Sequence, residues 1–390
     1  MSRRLACLVL ALSAAAGATA GEQEIELGLE NFYYRTDETL FNRGNILGLD
    51  RGEDLLRGTL RLKRSLGAAR LVVSGFVERR LGGGDATETT LRQAYLQYGW
   101  GEGLTLRVGK QRIGWGSGFA WNPTSRIEPP KNSLNTSLEQ QGAVAARMDL
   151  IPVTWAGLVL VAARSEVDRG DLPFETPRAR RRTGALRARF LLADTDLALV
   201  FSGGKNQRTL VGFDLARDVG ALSLHAEGAF YKGAELPPSR DGQTFFRLAA
   251  GLLHARGDDS FTLEYFFNGE GYSDASAAAF FSRLEAAFRL APEAYLAAVG
   301  TAYAGGLGLR RHYAQGSWTR GSAGGKWTLS GRGTVGLSDG GIALTPGVVY
   351  APRGNVTLHG EAVLLLGSKE SEYGHSPLRG ALSARVKVLF

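Results

Sequence analysis

Hydrophobic and polar residues alternate with a period of two along most of this chain. In residues 182–191, RTGALRARFL, Leu186, Ala188 and Phe190 fall on one face and Ala185, Arg187 and Arg189 on the other. Residues 56–63, LRGTLRLK, set Leu56, Leu60 and Leu62 against Arg57, Arg61 and Lys63. Residues 354–366 oppose Val356, Leu358 and Leu364 to Thr357, His359 and Glu361. Successive side chains of a strand point to opposite faces, so this alternation marks strands with one apolar side. The pattern predicts strands at 23–35, 55–64, 68–79, 89–99, 103–112, 141–150, 154–163, 182–192, 195–202, 207–216, 220–231, 242–254, 259–268, 308–319, 325–336, 341–350, 354–366 and 378–390. One stretch departs from it. Residues 275–300 are Ala-rich, with Phe281, Leu284 and Phe288 at spacings of three and four. That predicts a short helix in a long external loop, with two further strands around 277–300 as the alternative.

Period two serves a soluble sandwich and a membrane barrel equally, with the faces exchanged. The connections separate them. Links after even-numbered strands are short turns such as SLGA, GWGEG, IPVT, ADT and RDVG. Links after odd-numbered strands are mostly longer, at 36–54, 80–88, 111–140, 164–181, 232–241, 269–307 and 367–377. Outer-membrane barrels have this asymmetry and an even strand number, and strands of about 9–11 residues cross a bilayer at a tilt. The expectation is an all-β fold, a transmembrane antiparallel up-and-down β-barrel of about 18 strands, within a range of about 16–20. Lipid leaves no backbone group unpaired, so the first strand must meet the last. Glu24, Glu26 and Glu30 on the first would face Arg385, Lys387, Arg57 and Arg61 on its neighbours.

The ends of the chain fit this picture. Residues 1–20, MSRRLACLVLALSAAAGATA, carry Arg3 and Arg4, an apolar run too short to span a bilayer, and small residues at the end. This reads as a cleaved signal peptide, leaving 21–390 as a single barrel. The only cysteine, Cys7, would leave with it, so no disulfide or thiolate metal site is expected. At the other end, Leu382, Ala384, Val386, Val388 and Phe390 share one face. A terminal aromatic on the apolar face resembles the signal read by the barrel-assembly machinery.

Composition removes other classes. Glycine is abundant, 53 of 390 residues against a usual share of about 7%, but without a Gly-X-Y period, so the chain is not collagenous. Formal charge is +8 for the whole chain and +6 once Arg3 and Arg4 are removed. A basic chain suggests nucleic acid, yet an exported one seldom meets it, and no nucleic-acid partner is expected. None of the five histidines stands in a nucleophile-elbow or HExxH context, and metal-ligand spacings are missing. No catalytic residue, cofactor or metal is therefore expected.

Residues 111–140 form the third external loop by this count. The stretch QRIGWGSGFAWNPTSRIEPPKNSLN has no period. Trp115, Phe119 and Trp121 supply apolar area that suits burial. Gly114, Gly116 and Gly118 permit close backbone approach, and Pro123, Pro129 and Pro130 stiffen the segment. A barrel of about 16–18 strands leaves an aqueous channel, and a loop folded into it would narrow the bore. Asn122, Arg126, Glu128 and Lys131 would face the lumen, with Trp115 and Trp121 packed beside them as the constriction. Over 91–130, LRQAYLQYGWGEGLTLRVGKQRIGWGSGFAWNPTSRIEPP resembles a strand–turn–strand–loop signature of outer-membrane porin-like families, among them alginate-export-like barrels. The matched positions are Tyr95, Gly109, Lys110, Gln111, Trp115, Gly116, Asn122 and Pro123. Anchoring of the loop and contact with a solute explain them equally. The resemblance implies a Gram-negative outer-membrane barrel with a transport role.

The lumen face carries Arg57, Arg61, Arg107, Arg147, Arg187, Arg189, Arg332 and Arg385, with acids among them that include Asp149, Asp214, Glu227, Glu264 and Glu361. Most should cancel as pairs, leaving a modest preference for anions. A basic run, RARRR at 178–182, is expected at the outer mouth, where it would steer anions or bind lipopolysaccharide phosphates. The expected partners are thus small hydrophilic solutes, outer-membrane lipid and lipopolysaccharide, and the assembly machinery through the strand ending at Phe390. Passive diffusion through a porin channel is the expected function. The alternative is a non-transporting barrel that holds surface polysaccharide or sheathes a partner protein. Monomer and trimer both stay open.

Overall fold

The computed structural model of the chain describes residues 21–45, 52–81, 87–128, 142–167, 179–233, 236, 242–304, 308–322 and 324–390. The proposed signal peptide and Lys131, Pro129 and Pro130 lie outside the described residues. Eighteen antiparallel strands form one sheet, and each pairs with its sequence neighbours. In chain order β1–β6 are Gly21–Thr36, Gly52–Leu66, Ala69–Leu81, Thr87–Trp100, Leu104–Gln111 and Ala143–Val153. Strands β7–β12 are Ala156–Val167, Ala179–Leu192, Thr195–Lys205, Gln207–Val219, Leu222–Lys232 and Thr244–Arg256. Strands β13–β18 are Asp259–Asn268, His312–Gly321, Trp327–Gly336, Ile342–Arg353, Val356–Leu366 and Leu378–Leu389.

β1 pairs with β2 on one side and β18 on the other, which closes the sheet into a barrel. The terminal residue takes part: Ile25 and Phe390 exchange backbone hydrogen bonds, with Phe390 N donating at 2.9 Å. Opposite charges mark the seam on the inner face. Glu30 is 2% exposed and receives Arg385 together with Arg57, the latter at 3.4 Å. Lys387 reaches Glu26 at 3.0 Å.

Outward positions are apolar along the wall. Leu27, Leu29, Leu96, Val108, Phe201, Leu263 and Leu382 are all exposed. None of the described elements covers this face, and an apolar surface of this extent is what a bilayer covers. None of the helices among the described residues is long and apolar enough to cross a membrane. The turns match the connection asymmetry. At the tight end, β8 and β9 are joined by Ala193 and Asp194 alone, both left-handed (φ 47° and 61°). Two left-handed residues give a hairpin turn whose twist suits the flanking strands.

At the other end, residues 275–300 are helical, and the alternative of two further strands is overturned. Helix α1 spans Asp274–Leu290 and α2 spans Pro292–Ala304. Ser273 caps α1, accepting from Ser276 N, and Pro292 begins α2, where its missing N–H costs nothing. Both helices lie in the connection between β13 and β14.

Replacing Glu30 with Ala takes its carboxylate from Arg385 and leaves Arg57 with Glu78 alone. A loss of about 2 kcal/mol is expected, discounted for the partial exposure of both arginines. It should show as a lower temperature for conversion of the folded to the unfolded band on a denaturing gel. Glu30→Arg combined with Arg385→Glu should recover part of it.

Candidate functional site

The loop after β5 runs along the inner wall from β6 to β13. Its hold on the wall comes from two buried carboxylates at inward positions of β11 and β13. Glu264 accepts three consecutive backbone N–H groups of the loop, from Phe119 (2.5 Å), Ala120 (3.0 Å) and Trp121 (2.9 Å). Such a run of N–H groups forms a concave anion site. His225 on β11 adds its Nε2 at 2.9 Å. Glu227 accepts from Thr124 through its backbone N (2.7 Å) and its hydroxyl (2.6 Å), and from Asn122 Nδ2 (3.0 Å). Both carboxylates are fully buried. A buried charge is costly unless its lone pairs are filled, and here the loop fills them.

Apolar packing completes the attachment. Trp115 is buried with Ile113 and Ile127 against Ala145, Val161, Ala163, Ala185 and Val200 of the wall. Small side chains at these inward positions leave the loop room. Trp121 stacks on Phe266, with centroids 4.9 Å apart and rings 7° from parallel. Phe119 stands edge-on to His225 at 4.7 Å. Gly116 is left-handed (φ 95°), and a Cβ there would meet Asn122 Nδ2 and Glu227 Oε2 at 2.3 Å. No other residue type fits that position without moving the latch.

Two expectations for the loop are corrected. Glu128 does not face the lumen: it is 4% exposed and accepts the Ile113 N–H, closing the base of the loop. Burial raises its pKa, and the Ile113 N–H opposes that rise. Asn122 likewise turns to the wall, donating to Glu227 and to Gly118 O at 3.3 Å. Both serve the loop's own backbone and anchors, because a folded-in loop must satisfy polar groups that water no longer reaches. Arg126 is half buried, with its guanidinium 5.6 Å from the Tyr231 ring.

The lumen arginines divide. Arg57 binds Glu78, with Nε at 2.8 Å. Arg147 binds Asp149 at 2.7 Å, Arg187 binds Asp214 at 3.1 Å and Arg189 binds Asp196 at 2.6 Å. Arg385 is held by Glu30. Arg107 lies opposite Arg147 in register, and Arg332 opposite Thr345. Arg61 belongs to a different setting. With Lys63, Arg70, Arg92 and Arg112 it lines a recess of about 280 Å³ on the inner face of β2–β4. Ser74, Gln93 and Tyr95 complete its polar lining, and no carboxylate is among the lining residues. No group of three metal-ligating side chains occurs among the described residues.

A second body of packed residues sits at the outer end. Leu40, Phe41, Tyr272, Phe280, Phe281, Leu284, Tyr295 and Tyr373 bury one another against inward-facing Ala343 and Leu365. Tyr295 OH donates to Leu40 O at 2.8 Å, tying α2 to the first loop. Beneath them Glu372 accepts from Tyr313 OH (2.5 Å) and Leu309 N (3.1 Å), while its own N–H donates to Asp339 (2.8 Å). Arg310 bridges Asp339 at 3.3 Å and Asp274 at 2.6 Å. Burial pushes the Glu372 carboxyl up to about 8. Burial, with Arg379 and Arg43 nearby, pulls His375 down to about 4.

The sequence missed Glu227, Glu264 and His225 as anchors. Asp214 and Glu227 stand opposite in register, like charges that need separate partners. The inward run Ala145, Val161, Ala163, Ala185 and Val200, apolar where a wet lumen should be polar, was the available signal.

The fold is thus a wide closed barrel whose interior holds a latched loop and a packed outer lid. No protein-family model matches the chain, and no curated protein matches it. Among solved structures it is similar to OccK11 (OpdR) of Pseudomonas aeruginosa, at 13% identity and TM-score 0.57, covering 94% of this chain and 96% of that one. A BenF-like porin from Pseudomonas fluorescens Pf-5 is 14% identical, with TM-score 0.58 and coverage of 95% and 98%. OccK2 (OpdF) of P. aeruginosa, solved in complex with glucuronate, is 12% identical, with TM-score 0.58 and the same coverage of 95% and 98%. At such identities the likeness is one of fold, that of porin-type barrels.

Two outcomes follow for the loop and lid. Glu264→Ala strands three loop N–H groups and should free the loop, at a cost of about 3 kcal/mol locally. Protease cleavage within 114–128 should rise several-fold while the barrel stays folded. For the lid, a carboxyl with a raised pKa loses stability as pH climbs from its unfolded value of 4.5 to about 8. A histidine with a lowered pKa gains stability as pH climbs from about 4 to 6.5. Between pH 6.5 and 8 only Glu372 acts of these two, so hydrogen exchange in α1 and α2 should quicken over that window, and Glu372→Gln should flatten it.

Proposed function

We propose that this chain is an outer-membrane channel for passive diffusion of small hydrophilic solutes, anionic ones preferred. The observation that carries the reading is the recess on β2–β4, whose lining brings five cations, Arg61, Lys63, Arg70, Arg92 and Arg112, onto one side of the lumen. A carboxylate or phosphate would find there charge and several fork-shaped donors. The loop 112–128 occupies the β6–β13 side, so solute would pass along the β2–β4 wall beside Trp121 and Arg126. Selectivity would come from bore and charge, with no covalent step and no energy coupling. The fold likeness to porins, one of them solved with glucuronate, supports this class of solute. The signature over 91–130 supports kinship with alginate-export-like barrels as well. Outer-leaflet lipid and lipopolysaccharide would surround the wall, and the assembly machinery would engage the strand ending at Phe390.

Single-channel recording of the refolded mature chain tests this. In a salt gradient the reversal potential should lean toward the anion, and Arg61→Gln with Arg92→Gln should bring it toward zero selectivity. Glucuronate should reduce the current at millimolar concentration, and less so in that double variant. A folded barrel that passes no current would instead favour the alternative, a lumen closed by the loop and lid around a polysaccharide or partner.

A further inference from the structure

The outward face of β7–β9 carries a feature the channel does not use. Arg164, Arg182 and Lys205 are all exposed and stand opposite one another in register, Arg164 to Arg182 and Arg182 to Lys205. All three sit at the end of the barrel with the longer loops. Three like charges side by side on adjacent strands repel one another. In the row itself there is no acid; Glu166 lies one row further out, opposite Arg180. The basic run of the sequence is thereby split, since Arg182 turns outward while its neighbour Arg181 takes the opposite register.

Immediately below, the wall is hollow. The next row is Ala162, Gly184 and Gly203, again in register, with Ala146 beside Ala162. Leu160 and Phe201 stand at the following row and flank an open, mainly apolar depression of about 690 Å³. Strand geometry puts the floor about 7 Å beneath the cations. A girdle residue of ordinary size at Gly184 or Gly203 would fill the hollow, so the wall is recessed just where the cation row begins.

We infer that this face is a docking site for one molecule of a phosphorylated, multiply acylated glycolipid of the lipopolysaccharide type. Phosphate oxygens would neutralise Arg164, Arg182 and Lys205, and an acyl chain would lie in the depression over Gly184. Charge complementarity selects this occupant. A neutral lipid would leave the cation row unrelieved, and a second copy of the chain would set the same three cations beside its own outer face. The inference rests on the outer-membrane placement proposed above, because the cations lie at the outer end where such a lipid forms the leaflet.

The test titrates the refolded mature chain in detergent micelles with purified rough-type lipopolysaccharide, and separately with the same glycolipid after removal of its phosphates. Bound lipid is read by native mass spectrometry. The wild-type chain should retain the phosphorylated form at least tenfold better than the dephosphorylated one. The triple variant Arg164→Gln, Arg182→Gln, Lys205→Gln should lose that preference. Gly184→Leu, whose Cβ would meet nothing nearer than Gly203 O at 4.0 Å, should weaken retention without any change of charge. Both variants should keep wild-type conductance and gel heat-shift, since none of these residues faces the lumen. Equal retention by wild type and triple variant overturns the inference, as does equal binding of the dephosphorylated lipid. Cross-linking of two chains through this face with lipid excluded also overturns it. A wild-type chain that binds the lipid but shows no conductance refutes the channel and leaves the docking site standing.

Discussion

Everything else in this structure depends on the pairing of β1 with β18. A sheet with an apolar outer face needs lipid on that side, and lipid offers its edges nothing to bond. Closure is the only arrangement that satisfies both. The chain secures it twice: backbone groups pair down to the terminal Phe390, and on the inner side Glu30 and Glu26 meet Arg385 and Lys387. Those ion pairs contribute modestly to stability, but they discriminate register. A slip by one residue would turn every lumen charge toward lipid. The electrostatics of the seam therefore selects the right barrel among mispaired ones more than it adds energy to it.

Closing eighteen strands creates a second problem, an interior too wide for wall side chains to fill. The chain solves it asymmetrically. Along part of β6–β9, at Ala145, Val161, Ala163, Ala185 and Val200, the inner face is made small and apolar, and a loop rich in aromatics packs onto it. Carboxylates from β11 and β13 then take up the loop's backbone donors. Neither half works alone, for Glu264 without the loop would keep only His225 of its present partners, and the loop without Glu264 would bury three unpaired N–H groups. The interdependence ties the position of a non-repetitive segment to the register of the strands. A segment so fixed can define a bore, which a freely moving loop cannot.

How much of this was legible follows from what each feature depends on. The strands were readable almost to their ends because alternation is local: β13 begins and ends where the pattern put it, at 259 and 268. The loop was readable as buried because its aromatic, glycine and proline content has no use in water. Its attachment was not readable. Glu227 and Glu264 look like any lumen acid until three strands are set in register and the loop is laid over them. Glu128 misled for the opposite reason, since a carboxylate in a loop is ordinarily wet, whereas this one closes its own loop through the Ile113 N–H. The helices of the β13–β14 connection were half legible. Spacing revealed their type, but their packing with Phe41 and Tyr373 joins segments hundreds of residues apart.

The distribution of charge gives the molecule its polarity. Inside, acids hold Arg57, Arg147, Arg187, Arg189 and Arg385, and a cluster of cations gathers on β2–β4. Outside, a second cluster lies on β7–β9 above a hollow in the wall. A net charge of +8 by itself describes neither cluster, because exposed charges spread evenly would screen away in salt. Clustering is what makes them effective: several cations on one recess hold an anion that a single exposed lysine would release. In the proposed channel such a cluster would have to bind weakly enough to let solute leave. On the outside there is no such limit, and a lipid held in the proposed site would brace the very strands, β7–β9, on which the loop's small-residue bed is built. Wall and lumen are thus coupled through the same three strands, whose outward positions meet lipid and whose inward positions seat the loop.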